Sequence, residues 1–125
     1  MDKMIVYHWS KKSDLTVTLP EFAGTGVRGA ERDRKQIKGT FFGLPGYREP
    51  AVQNNSVQYW AEIGSAKVYS LGSDPLGLIH TAQLSDCPRY RFEQLVIENG
   101  FIGYTAQDVV KVFVPVAVAK FSTTF

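Results

Sequence analysis

Gly100-Phe101-Ile102-Gly103-Tyr104-Thr105-Ala106-Gln107-Asp108-Val109-Val110-Lys111-Val112-Phe113-Val114 is the stretch on which the fold turns. Immediately before it, Phe92, Leu95 and Val96 form an i, i+3, i+4 stripe that predicts a helix from about Pro88 to Asn99, and Gly100 supplies its stop. Phe101 to Tyr104 then reads as a short strand. Val109 to Val114 is apolar on both faces except at Lys111, which is the pattern of a central strand. Pro115 interrupts the run, so Val116 to Phe121 is either its continuation or an edge.

Outward from this stretch, Asp74-Pro75 places a capping side chain before a proline at the first helical position, and Leu76, Ile79 and Gln83 or Leu84 would follow on one face. Gly77 weakens that helix. Val57 to Ile63 and Ala66 to Leu71 are β-rich and separated by Gly64-Ser65, which predicts a two-residue hairpin. Gly39 to Gly43 is a further short strand, and Leu44 to Asn55, with Pro45, Gly46, Pro50 and Asn54-Asn55, is a loop. From Glu21 to Gly39 glycine and charge dominate, the composition of a loop or a short charged helix. Met4 to Trp9 is a first strand leaving through the polar turn Lys11 to Asp14, with Met4, Val6 and His8 on one face and Ile5, Tyr7 and Trp9 on the other. The expected class is α+β: a split, mostly antiparallel β-sandwich with one or two helices, formed by residues 1–125 as one domain.

Composition narrows the function. The chain has 125 residues, 14 Lys+Arg against 12 Asp+Glu, 44% hydrophobic residues, eight Phe, six Tyr, two Trp and one Cys. This is enough to bury a core, and it is not the composition of a disordered chain or of a uniformly basic nucleic-acid coat. A lone thiol, Cys87, excludes an internal disulfide framework and a cysteine-rich zinc site. His8, His80 and Cys87 lack the spacing that prearranges metal ligands, so no metal is expected. With no apolar run of membrane-spanning length and no secretory leader pattern, the expected location is the cytoplasm.

Several motifs compete for the chemistry. Gly24-Thr25-Gly26-Val27-Arg28-Gly29 matches G-x-G-x-x-G, but it follows Pro20-Glu21 rather than a buried strand, so a flexible glycine loop is the default reading. Arg28, Arg32, Arg34, Lys35 and Lys38 could face nucleic-acid phosphates beside stacking rings, yet Glu31 and Asp33 lie among them and a solvated segment explains them equally well. A serine triad from His8 and Ser10 has little support at their strand spacing. Two polar interruptions of core-like strands remain, His8 and the Gln107-Asp108 pair at the mouth of the valine strand. Taken alone, the first reads as a structural histidine and the second as a solvated strand end.

Tyr7-His8-Trp9-Ser10, Gly39-Thr40-Phe41-Phe42-Gly43 and the Gly100 to Val114 segment together resemble, in order, the three signatures of the ADP-ribosyltransferase fold of the diphtheria-toxin and poly-ADP-ribose polymerase branch. The pattern is most similar to small ADP-ribosyltransferase-like domains of phages and mobile elements, including Gly24-Thr25-Gly26 followed by Gly29-Ala30-Glu31. The resemblance implies NAD as co-substrate, a protein or other macromolecule as acceptor, and, for phage proteins, host machinery or defence complexes as targets. It implies that His8 holds the adenosine ribose with Ser10 nearby, that the Trp9 backbone meets the nicotinamide amide, and that Phe41 or Phe42 stacks on the nicotinamide. Asp108, with Gln107 beside it, takes the place of the glutamate that binds the nicotinamide-ribose 2′-hydroxyl, and Arg28 or Arg32 would meet the pyrophosphate. Phe in place of Tyr and Asp in place of Glu are departures that equally suit an inactive NAD- or partner-binding module; a small single-strand nucleic-acid-binding protein is the remaining alternative.

Overall fold

The computed structural model describes residues 2–10, 12–19, 37–45 and 57–120. Strands β1 (Lys3–Ser10), β3 (Thr40–Gly43), β4 (Val57–Gly64), β5 (Val68–Ser70), β6 (Gly103–Ala106), β7 (Val109–Val112) and β9 (Ala119–Lys120) make one sheet, in the order β5-β6-β7-β3-β1-β4-β9. Strands β2 (Val17–Thr18) and β8 (Val116–Ala117) form a separate two-stranded ribbon. Helices α1 (Leu78–Ala82) and α2 (Pro88–Glu98) lie between β5 and β6 in the chain. The class is α+β, as the sequence pattern indicates. The pairing is mixed rather than wholly antiparallel, because β5 runs parallel to β6. The seven strands are also hydrogen-bonded into one sheet, whereas the sequence suggests two halves of a sandwich.

The largest departure concerns β4 and β5. Gly64-Ser65 does not close a hairpin: Ser65–Lys67 is a turn of 3-10 helix, and β5 leaves β4 for the opposite edge of the sheet. Both segments have strand composition, and their partners are set by tertiary packing, which a local turn signal does not encode. The α1–α2 crossover then supplies the long connection that a parallel pair requires.

Helix α1 also starts later than Asp74-Pro75 suggests. Gly77 is its N-cap residue, and Asp74 instead accepts hydrogen bonds from the Ile79 N–H and from the Tyr69 hydroxyl. Helix α2 ends as its sequence dictates. Gly100 sits at φ 88° and donates to the Ile97 carbonyl, while the Phe101 N–H returns to Val96, the paired bonds of a Schellman stop. Beyond Pro115, the chain crosses from the ribbon strand β8 to the sheet edge at β9, so it makes an edge and not a continuation of β7.

Strand alternation sorts the core onto two faces. On one, Val6, Phe42, Ala61, Ile63, Val110 and Val112 are buried, and Val114, Val116 and Val118 fold back over them. On the other, Tyr69 and Tyr104 are buried against Leu78, Ala82, Phe92, Leu95 and Val96 of the two helices. The helices cover the β5-β6-β7 end of that face. Tyr7 and Trp9, which occupy the same face on β1, are only half-buried, as is Trp60, the register partner of Tyr7 on β4.

Candidate functional site

The sheet has a seam. Strands β1 and β4 are paired along their full length, from Lys3↔Gly64 to Ser10↔Val57, whereas β1 and β3 share a single register position, Tyr7↔Gly43.

His8 spans the seam. Its Nδ1 lies 3.0 Å from the Phe41 carbonyl oxygen. A carbonyl only accepts, so Nδ1 carries the proton of that bond, and Nε2 of the neutral ring is an acceptor suited to a hydroxyl donor. The ring is braced by Phe42, with centroids 5.4 Å apart. Behind it Tyr59, the β4 register partner of His8, is fully buried; its hydroxyl donates to the Lys12 carbonyl and accepts the Leu15 N–H at 3.1 Å. That pins the chain leaving β1. Ser10 accepts the Lys12 N–H at 3.1 Å, so its hydroxyl keeps a donor proton at the end of the seam.

Alternation divides the remaining residues. Phe42 is 1% exposed and packs beside Val6, whereas Phe41 is 47% exposed on the opposite face. Of the two candidate stacking rings, Phe41 therefore has a face available, while Phe42 is core. His8 and Ser10 flank the seam from one face, and Phe41 and Trp9 from the other; the Trp9 ring lies 6.4 Å from that of Tyr7.

Gln107 and Asp108 form the two-residue turn between β6 and β7, both exposed, with Gln107 at φ 57°. A left-handed glutamine is uncommon, and such strain gathers at functional turns. The Asp108 carbonyl accepts the Leu44 N–H at 2.8 Å, which fastens the turn to the end of β3. The structure thus sets His8, Ser10 and Phe42 on one face of the seam and Trp9 and Phe41 on the other, and leaves Asp108 two strands away. Counting strand spacings and residues along the ladders puts the Cα atoms of His8 and Asp108 about 12 Å apart. Arg28, Arg32, the Gly24 to Gly29 loop and all of the basic cluster except Lys38 lie outside the described residues.

A buried polar cluster lies beneath Phe41. Lys111, the register partner of Phe41, sends its Nζ to within 2.6 Å of Glu93 Oε2 on α2, and both side chains are almost wholly buried. The same oxygen accepts the Tyr104 hydroxyl at 2.7 Å, and Oε1 accepts the Ile37 N–H at 2.8 Å. Arg89 Nε stands 3.9 Å from Oε2 at the cluster's outer side. Burial, reinforced by the Glu93 charge and hydrogen bond, pushes the Tyr104 phenol well above its ordinary value. Sequence patterning exposes only Lys111, the one charge among the valines. Glu93 is hidden because a charged residue in an amphipathic helix reads as solvated.

Among the described residues there is no cluster of three or more His, Cys, Asp or Glu side chains placed to hold a metal ion, and no helix long and apolar enough to cross a membrane. Comparisons with protein-family models, with curated proteins and with solved structures return no match.

Proposed function

We propose that the seam between β1 and β3 binds NAD and that the protein transfers ADP-ribose to a macromolecular acceptor. The observation that carries this reading is the single-rung joint between β1 and β3, bridged by the bond from His8 to the Phe41 carbonyl. The motif order supports it: the residues that the resemblance assigns to the adenosine ribose, the nicotinamide amide and the nicotinamide ring all flank that seam, His8 from one face and Trp9 and Phe41 from the other.

In this reading the His8 Nε2 accepts a hydroxyl of the adenosine ribose, the Trp9 backbone meets the nicotinamide amide, and Phe41 stacks on the ring. Asp108, two strands from His8, takes the other ribose in this reading. It accepts the 2′-hydroxyl of the nicotinamide ribose, and its charge favours the oxocarbenium-like transition state. The C1′–N bond breaks with its electron pair going to nicotinamide; an acceptor nucleophile forms the new bond to C1′ and releases a proton.

The test is incubation with NAD labelled in the nicotinamide ring. Free nicotinamide is expected from the native protein, with a loss on the order of a hundredfold or more in Asp108→Ala. Equal release by both proteins would remove Asp108 from the chemistry. Failure of the native protein either to bind NAD or to release nicotinamide would refute the proposal. The exposed Asp108 turn, with a carboxylate one methylene shorter than Glu, favours a second reading, an NAD-binding module without turnover; binding with no release would select it.

A further inference from the structure

We propose that Lys111, held in place by Glu93, is a positioning residue for Phe41 and sets the ring against which the nicotinamide stacks; this rests on the NAD reading above. The Lys111 ammonium lies 5.5 Å from the Phe41 ring centroid and 5.6 Å from that of Phe113, both within cation–π range. Phe41 is half exposed, so burial alone leaves its ring freedom, and the buried ammonium lies within cation–π reach of it.

The local sequence is fitted to this placement. A Cβ on Gly39 would come within 2.9 Å of Lys111 Cγ and 3.0 Å of Cε, so only glycine two residues before Phe41 leaves the lysine stem its path to Glu93. Glu93 also accepts the Ile37 N–H, which ties the chain leading into β3 to helix α2. One carboxylate thereby fixes both the cation under the ring and the segment that carries the ring.

Stability alone is a poor explanation for the pair. Burying two charges costs desolvation that their attraction often only offsets, and apolar replacements of similar volume are frequently as stable. An aromatic wall fixed in advance loses less freedom when a ligand stacks on it, and that is a gain in binding. The ammonium is buried and neutralised by Glu93, so the exposed face of Phe41 remains a π surface for the cationic pyridinium of NAD.

The experiment places 4-fluorophenylalanine at position 41 and records its 19F resonance in the native background, in the Lys111→Met/Glu93→Gln double variant and in Val96→Ala. The double variant removes both charges while keeping their volume, so no lone ion is left buried. Val96→Ala loosens the same helix packing and leaves both charges in place. The expected result is a shifted and broadened line in the double variant, an unchanged line in Val96→Ala, and a KM for NAD raised about five- to tenfold with kcat altered less in the double variant. A line unmoved in the double variant, or moved equally in the control, overturns the positioning role. A moved line with an unchanged KM overturns its link to binding. A native protein that neither binds nor cleaves NAD refutes the functional reading, while the fluorine spectra still decide whether Lys111 places the ring.

Discussion

The two ends of the sheet are built by different means. At the β5-β6-β7 end, helices α1 and α2 seal one face: Phe92 meets Tyr104 edge to face at 5.0 Å, and Tyr69 meets Phe101 similarly at 5.2 Å. Even the charges there are dry, with Glu93 fully buried. At the β1-β4 end, Tyr7, Trp9 and Trp60 are half-exposed, and the Lys3–Glu62 pair is solvated at 3.7 Å. The seam between β1 and β3 divides these regimes. A rigid, water-excluding half next to a half with partly exposed aromatic rings is an arrangement suited to holding a flat ligand at the boundary.

Breaking the charge pairs tests this contrast most strongly. Glu93→Ala leaves Lys111 buried without its counter-charge and should cost about 3–5 kcal/mol in urea unfolding. Glu62→Ala, at the exposed pair, should cost less than about 1 kcal/mol. Comparable losses would mean that the two ends are not different in kind. The Lys111→Met/Glu93→Gln double variant should recover at least about 2 kcal/mol relative to Glu93→Ala, because no unpaired charge remains.

The pH dependence sharpens the same contrast. Tyr69 and Tyr104 both have raised pKa values, caused first by burial and then by their carboxylate partners Asp74 and Glu93. The folded state therefore holds their protons more tightly than the unfolded chain does. Stability should fall as pH rises past about 10, where the unfolded phenols ionise. Tyr104→Phe should flatten that alkaline decline in a denaturant series. On the acid side, the Tyr69 hydroxyl holds the Asp74 carboxyl below its ordinary range, against opposing desolvation. Asp74 therefore adds stability above its unfolded value, and that share is lost as pH falls through the folded one. Asp74→Asn should remove this acid-side component.

The smallest expected effect lies at the seam side of the turn. Gln107→Gly should relieve the positive φ and stabilise the protein by about 0.5 kcal/mol after the entropy cost of glycine. Destabilisation instead would show that the glutamine side chain makes a contact worth more than its strain.

How much of this was legible in the sequence varied with the range of the interaction. Local signals were reliable: the Phe92, Leu95 and Val96 stripe, the Gly100 stop, the valine strand with Lys111, and the β1 alternation that places Val6 and His8 on one face. Partnerships across the chain were not. The Gly64-Ser65 hairpin fails because β5 finds β6 instead, and the helix expected from Pro75 begins only after Gly77, with the Asp74 carboxylate reaching forward to the Ile79 N–H of its first turn while also taking the Tyr69 hydroxyl. The site followed the same rule. Short motifs named His8, Phe41 and Phe42, but only the register shows which ring is core and which is exposed. The seam and the Glu93–Lys111 pair exist only between segments far apart in sequence.

Backbone amide hydrogen exchange with and without NAD tests the central claim most directly, because it reads where binding occurs without requiring turnover. The account predicts added protection at Tyr7 to Ser10 and Thr40 to Gly43, with little change across Pro88–Glu98 of α2. No added protection anywhere, or protection centred on the helices with the seam unchanged, would contradict it.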